Sequence, residues 1–89
     1  MPSVRIPPPY RGPTLGAAAV DVDGVTVGAA LDAVERKYPG FLAQVLDDDG
    51  NVHGFVKLFK NGEQIVRDPL RTPLAAGDDL EILAAIAGG

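Results

Sequence analysis

The chain of 89 residues contains no cysteine. That excludes disulfides, thiolate nucleophiles and cysteine-held metals, and it leaves the cellular compartment unmarked by redox chemistry. Any sulfur this protein handles is held by something other than a side-chain thiol. Histidine occurs once, as His53, with no histidine or cysteine partner for a metal site or an acid–base pair, so it reads as a solvated loop residue. Charged residues make up only 22% of the chain, and its eight Lys and Arg are scattered, Arg36-Lys37 being the one adjacent pair, rather than striped along one element. Nucleic acid is therefore not an expected partner. No apolar run approaches the roughly 20 residues of a membrane span, and Met1 to Ile6 lacks the basic start and apolar core of a secretory signal, so the expected setting is cytoplasmic, with no membrane partner.

Phosphate and calcium loops are missing as well. Gly12, Pro13, Thr14, Leu15 and Gly16 lack the Gly-Lys-Ser/Thr ending of a phosphate loop, and Asp47, Asp48, Asp49, Gly50 and Asn51 lack the ligand spacing and closing glutamate of an EF-hand. No cofactor or metal is expected on this chain. Its length permits one domain, and such a domain buries only about 60–65% of its unfolded surface, which leaves little room for an enclosed catalytic cavity. Against these absences stand 46% hydrophobic residues, enough for one core. The net charge of −4 suits solubility and equally a partner with a basic docking face.

Val4 and Ile6 alternate with polar neighbours in an opening strand that Pro7, Pro8 and Pro9 end by removing amide donors. Ala18, Val20 and Val22 repeat with period two, and Asp23-Gly24 turns the chain, so the first two strands form a hairpin with a long connection. Thr26 is the expected N-cap of an amphipathic helix over 26–38, built on Val27, Ala30, Leu31, Val34 and Tyr38 and stopped by Pro39-Gly40. Phe41, Leu42, Val45 and Leu46 indicate a short second helical piece. Residues 55–60 read as a strand, Asn61-Gly62 as a two-residue hairpin turn, and Gln64, Ile65 and Val66 as its partner strand. A single helical turn is expected at Thr72, Pro73 and Leu74, and a last strand at Leu80, Glu81, Ile82 and Leu83.

This order predicts an α+β fold of the β-grasp (ubiquitin-like) type: a mixed sheet of four to five strands, with one main helix packed across one face. The domain is expected to span 1–84. Residues 85–89 then form a flexible, extended tail ending in Gly-Gly, with a reach of roughly 17 Å if fully extended. Glycine at 88 and 89 removes bulk beside the carboxylate, so the end fits a narrow channel. On the last hairpin and strand, Val56, Leu58, Leu80 and Ile82 are expected under the helix, leaving Phe55, Phe59 and Leu83 as an outer apolar patch leading to the tail. A one-residue slip gives the alternative, with Phe55 and Phe59 in the core.

The helix over 26–38, the strand and turn Phe55 to Glu63, the ending Ala76 to Leu83, and the tail Ala85, Ile86, Ala87, Gly88, Gly89 together resemble the ThiS/MoaD-type ubiquitin-like sulfur carriers. The resemblance is closest to the actinobacterial, CysO-like carriers of cysteine biosynthesis, and it runs over nearly the whole chain. It implies a carrier rather than an enzyme. The Gly89 carboxylate would be adenylated with ATP by a ubiquitin-activating-enzyme-like adenylyltransferase of the MoeB/ThiF type, then converted to a thiocarboxylate by a sulfur donor such as a rhodanese or cysteine desulfurase. A downstream sulfur-accepting synthase would take the sulfur, in biosynthesis of cysteine, a cofactor or a natural product. ATP, and a zinc ion where one is present, would belong to the activating partner. Gly88, Ala87, Ile86, Ala85, Leu83, Phe59 and Phe55 would meet partners. Two other uses remain open at this point: a protein modifier joined to lysines through Gly89, and a β-grasp interaction domain whose tail is irrelevant.

Overall fold

Strand β1 (Ser3–Arg5) and strand β5 (Asp79–Ala84) lie side by side and parallel at the centre of one sheet, with Val4 opposite Leu80, in a computed structural model that describes residues 1–84. Residues 85–89, the expected tail, lie outside the described residues. Antiparallel β2 (Ala19–Asp21) flanks β1, while antiparallel β3 (Val56–Lys60) and β4 (Glu63–Gln64) extend the other side. The strand order β2-β1-β5-β3-β4 makes a five-stranded mixed sheet of the β-grasp type.

Helix α1 (Val27–Lys37) crosses one face. Thr26 starts it with extended backbone, and its hydroxyl accepts the Ala29 amide at 3.1 Å, satisfying one of the free donors of the first turn. Val27, Ala30, Leu31 and Val34 are fully buried and meet the inner sheet residues Val4, Val20, Val56, Leu58, Leu80 and Ile82. Each large aliphatic side chain so buried contributes about 1.5–3 kcal/mol. The helix ends before Gly40, at φ 100°, and the Glu35 carboxylate accepts the amides of Gly40 (3.1 Å) and Leu42 (2.7 Å). That bond ties α1 to the short helix α2 (Leu42–Val45), which buries Val45 beside the fully buried Phe41.

The hairpin turn has both φ angles positive, 50° at Asn61 and 88° at Gly62, as a two-residue turn with right-handed strand twist requires. Its second strand is shorter than the sequence suggests. The Ile65 amide still bonds the Leu58 carbonyl at 2.8 Å, but Val66 is 77% exposed and the chain swings away through Asp68, at φ 41°, into Pro69. The helical turn also falls earlier than expected, as a 3₁₀ turn over Pro69–Arg71, where Pro69 presets φ at the first position. Thr72, Pro73 and Leu74 are instead drawn out against the start of α1: the Val27 amide donates to Thr72 and the Leu74 amide to Val25, both at 2.9 Å.

Candidate functional site

Because side chains alternate along β3 and β5, burying Val56, Leu58, Leu80 and Ile82 sends Lys57, Phe59, Glu81 and Leu83 to the outer face. Register decides which of these meet. Phe59 stands between Glu81 of β5 and Gln64 of β4, and Leu83 stands opposite Lys57. Leu83 and Phe59 are therefore diagonal neighbours on one face, within reach of long side chains. Phe59 is half-buried, and Leu83 is 41% exposed.

Phe55 is placed differently. It lies in the turn before β3, 49% exposed, with its ring stacked on His53 at a centroid separation of 4.9 Å. Lys57 separates it from Phe59 along the chain, with its ammonium anchored on the Gly54 carbonyl at 3.2 Å. The outer face is thus mixed, with Phe59 and Leu83 standing beside Lys57 and Glu81. Sequence reasoning missed both Lys57 and the His53 stack. The two-residue spacing of His53 and Phe55 was the available signal for the stack, and the position of Lys57 follows only from the β3–β5 register.

The far side of β5 carries a second feature. β1 stops at Arg5, opposite Glu81, so the last part of β5 lacks a neighbouring strand there. The chain beyond β1 fills the gap only partly, leaving a shallow groove of about 240 Å³ between Pro7-Pro8 and Ile82-Leu83, with Arg5 and Arg11 on its walls. The Arg11 guanidinium is fixed by donating Nε–H to the Ile6 carbonyl at 3.1 Å. Arg5 pairs with Asp79 at 3.5 Å, both exposed. Both features border the end of β5, from which residues 85–89 continue.

A larger depression, about 510 Å³, lies elsewhere, between α1, α2 and the acidic loop, and is lined by Glu35, Leu42, Asp47, Asp48 and His53 among others. Two of its carboxylates are structural: Glu35 holds the two amides named above, and Asp47 Oδ1 accepts those of Asp49 (2.9 Å) and Asn51 (3.0 Å). Among the described residues no cluster of three His, Cys, Asp or Glu is placed to hold a metal ion, and no helix is long and apolar enough to cross a membrane.

Known proteins match this arrangement along its length. The model of the ThiS family matches residues 11–89. The sulfur carrier protein CysO of Mycobacterium tuberculosis is 36% identical over 90 aligned positions, spanning 98% of this chain and 97% of the relative. Small archaeal modifier protein 1 of Haloferax volcanii is 39% identical over 71 positions, 79% of this chain and 78% of the relative. A chain in the crystal structure of the Amycolatopsis orientalis BexX/CysO complex superposes with a TM-score of 0.90 at 34% identity, each chain covered in full.

Proposed function

This chain belongs to the ThiS family, and from that membership we propose that it works as a ubiquitin-like sulfur carrier through the carboxylate of Gly89. The observation that carries the reading is that the family match continues past β5 through Gly88 to Gly89, so the tail belongs to what is shared.

The chemistry follows from a terminal carboxylate. With a pKa near 3.5 it is ionised at neutral pH and attacks the α-phosphate of ATP, releasing pyrophosphate. The acyl-adenylate is then a good electrophile. The donor's persulfide attacks its carbonyl carbon and AMP leaves; a second thiol then cleaves the acyl disulfide so formed, which leaves a thiocarboxylate at Gly89 and a disulfide on the thiols. Binding sulfur to a protein keeps it from diffusing away, which is the logic of a group carrier. Gly88 and Gly89 give access, Ala85, Ile86 and Ala87 give reach, and Leu83, Phe59 and Phe55 give recognition by the activating enzyme. ATP and any zinc ion sit in that adenylyltransferase, of the MoeB/ThiF type. A rhodanese or cysteine desulfurase supplies sulfur in the cytoplasm, and a synthase of cysteine biosynthesis receives it. The chain itself is a co-substrate and turns nothing over.

The test is intact-mass measurement after incubation with ATP, a MoeB/ThiF-type adenylyltransferase from the same genome and a sulfur source. A gain of about 16 Da, oxygen replaced by sulfur, is expected, and it should vanish when Gly88 and Gly89 are deleted. No gain from an adenylyltransferase that activates its own control substrate refutes the reading. The archaeal modifier relative keeps conjugation in view as the rival. Lysine-linked products in cells, with no thiocarboxylate form, would establish it instead.

A further inference from the structure

The tip of the β3–β4 hairpin is an Asn-Gly peptide, and its asparagine side chain is hydrogen-bonded through both its oxygen and its nitrogen. Asn61 Oδ1 accepts the Asp79 amide at 2.9 Å, Asn61 Nδ2 donates to Asp78 Oδ1 at 3.0 Å, and the Asn61 amide donates to the Asp79 carbonyl at 2.9 Å. The Asp78 carboxylate is itself held in place, accepting the Ala75 amide at 2.7 Å and lying 3.8 Å from Lys60 Nζ. Both Asn61 and Gly62 are exposed to water.

Glycine after asparagine leaves the following amide nitrogen unhindered, the arrangement in which an asparagine most readily cyclises on its own backbone. We propose that Asn61 is a site of spontaneous modification, held shut in the folded chain by Asp78 and Asp79, whose product loosens the hairpin tip from the start of β5. In the reaction the deprotonated Gly62 nitrogen attacks Asn61 Cγ. The N–Cγ bond forms, the Cγ–Nδ2 bond breaks, and Nδ2 departs as ammonia with a proton from water. Water then adds to either imide carbonyl and the ring opens, giving aspartate or an isoaspartyl linkage. One water in and one ammonia out balance the sequence, with no oxidation.

Cyclisation requires Cγ to turn onto the Gly62 nitrogen. The carboxamide must first leave both Asp78 and Asp79, so the folded geometry opposes the reaction and local opening at the hairpin tip admits it. The product is not neutral in effect. A carboxylate replaces the Nδ2 donor beside the Asp78 carboxylate, with Lys60 as the near cation. The isoaspartyl form also lengthens the backbone at the turn, where Lys60 pairs with Glu63. The site sits at the start of β5, at the opposite end of that strand from the tail, so it acts on the stability of the sheet rather than on sulfur chemistry.

The experiment follows Asn61 by peptide mapping, reading the gain of about 1 Da and the isoaspartyl product, during incubation in mildly alkaline buffer. It compares the full chain, its Asp78→Ala variant and a synthetic peptide of residues 57–66. The peptide is expected to react at least about tenfold faster than the folded chain, and folded Asp78→Ala about tenfold faster than the parent, since it loses a hydrogen bond to a charged group. A folded parent that reacts at the peptide's rate, or a folded Asp78→Ala that reacts at the parent's, overturns the proposal. Should Asp78→Ala not fold, hydrogen exchange at the Asn61 side-chain amide of the parent decides: slow exchange supports the lock, and free exchange removes it.

Discussion

The imidazole of His53 lies over the ring of Phe55, the centroids 4.9 Å apart and the planes 15° from parallel. The contact orients Phe55 at the entry to β3, beside the end of β5, and leaves it 49% exposed. A stacked pair of this kind contributes about 0.5–1.5 kcal/mol beyond its buried area. A double-mutant cycle of His53→Ala and Phe55→Ala in urea unfolding should therefore return a coupling of about 0.5 kcal/mol, given the exposure of the pair. A coupling indistinguishable from zero would mean that the stack does not order Phe55.

Phe59 and its neighbour Leu58 should respond oppositely to the same substitution. Leu58 is 2% exposed in the core, so Leu58→Asp buries an unpaired carboxylate and should abolish folding. Phe59 faces outward opposite Glu81, so Phe59→Asp sets two like charges across the ladder and should cost about 1 kcal/mol while the fold survives. If the outer face docks the activating enzyme, Phe59→Asp should raise KM in the adenylation assay about tenfold or more, as loss of an aromatic anchor does. A folded Phe59→Asp variant with unchanged KM would place docking elsewhere.

Features set by neighbouring residues were legible in the sequence: the Thr26 cap, the stop at Pro39-Gly40, the Asn61-Gly62 turn, and the alternation that buries Leu58 and Ile82. Features set by distant contacts were less so. Whether Pro69 or Pro73 would seed a helical turn depends on Thr72 and Leu74 being captured by the backbone at Val27 and Val25, more than forty residues away. Ile65 and Val66 carry strand-like side chains, yet the ladder ends because Asp68 and Pro69 redirect the chain. At the candidate site, alternation identified Phe59 and Leu83 but not Lys57 between them, since only register places Lys57 opposite Leu83. The Arg11 groove depends on β1 being shorter than β5, a length difference that proline at 7 and 8 hinted at without fixing.

Gly24 allows the β2–α1 turn to press against the helix. A Cβ there would stand 2.7 Å from the Ala30 backbone nitrogen and 2.8 Å from its Cα, and neither can move without shifting α1. Gly24→Ala should destabilise the fold by about 1–3 kcal/mol, the range for forced overpacking. Gly54→Ala is the control, since a Cβ there meets nothing within 4 Å. Equal unfolding midpoints for the two variants would show that the turn has slack the close contact denies.

Tyr10 is 8% exposed, and its hydroxyl is buried without a hydrogen-bond partner among the described residues. Burial pushes its pKa above the ordinary value near 10, because the phenolate would lose its hydration. An acid that holds its proton more tightly when folded makes stability fall as pH rises, because above the unfolded pKa the unfolded chain releases a proton that the folded chain retains. The loss should begin near pH 10 and continue until the folded pKa is reached. Tyr10→Phe removes the unpaired hydroxyl while keeping the ring, so it should stabilise the protein by about 1 kcal/mol at neutral pH. It should also flatten the alkaline limb of the stability curve. Chemical unfolding of both proteins from neutral pH to about 11 reads both effects together. Destabilisation of Tyr10→Phe at neutral pH would mean that the hydroxyl has found a partner, and the steep alkaline limb should then survive only in the parent for a different reason, the loss of that bond on ionisation.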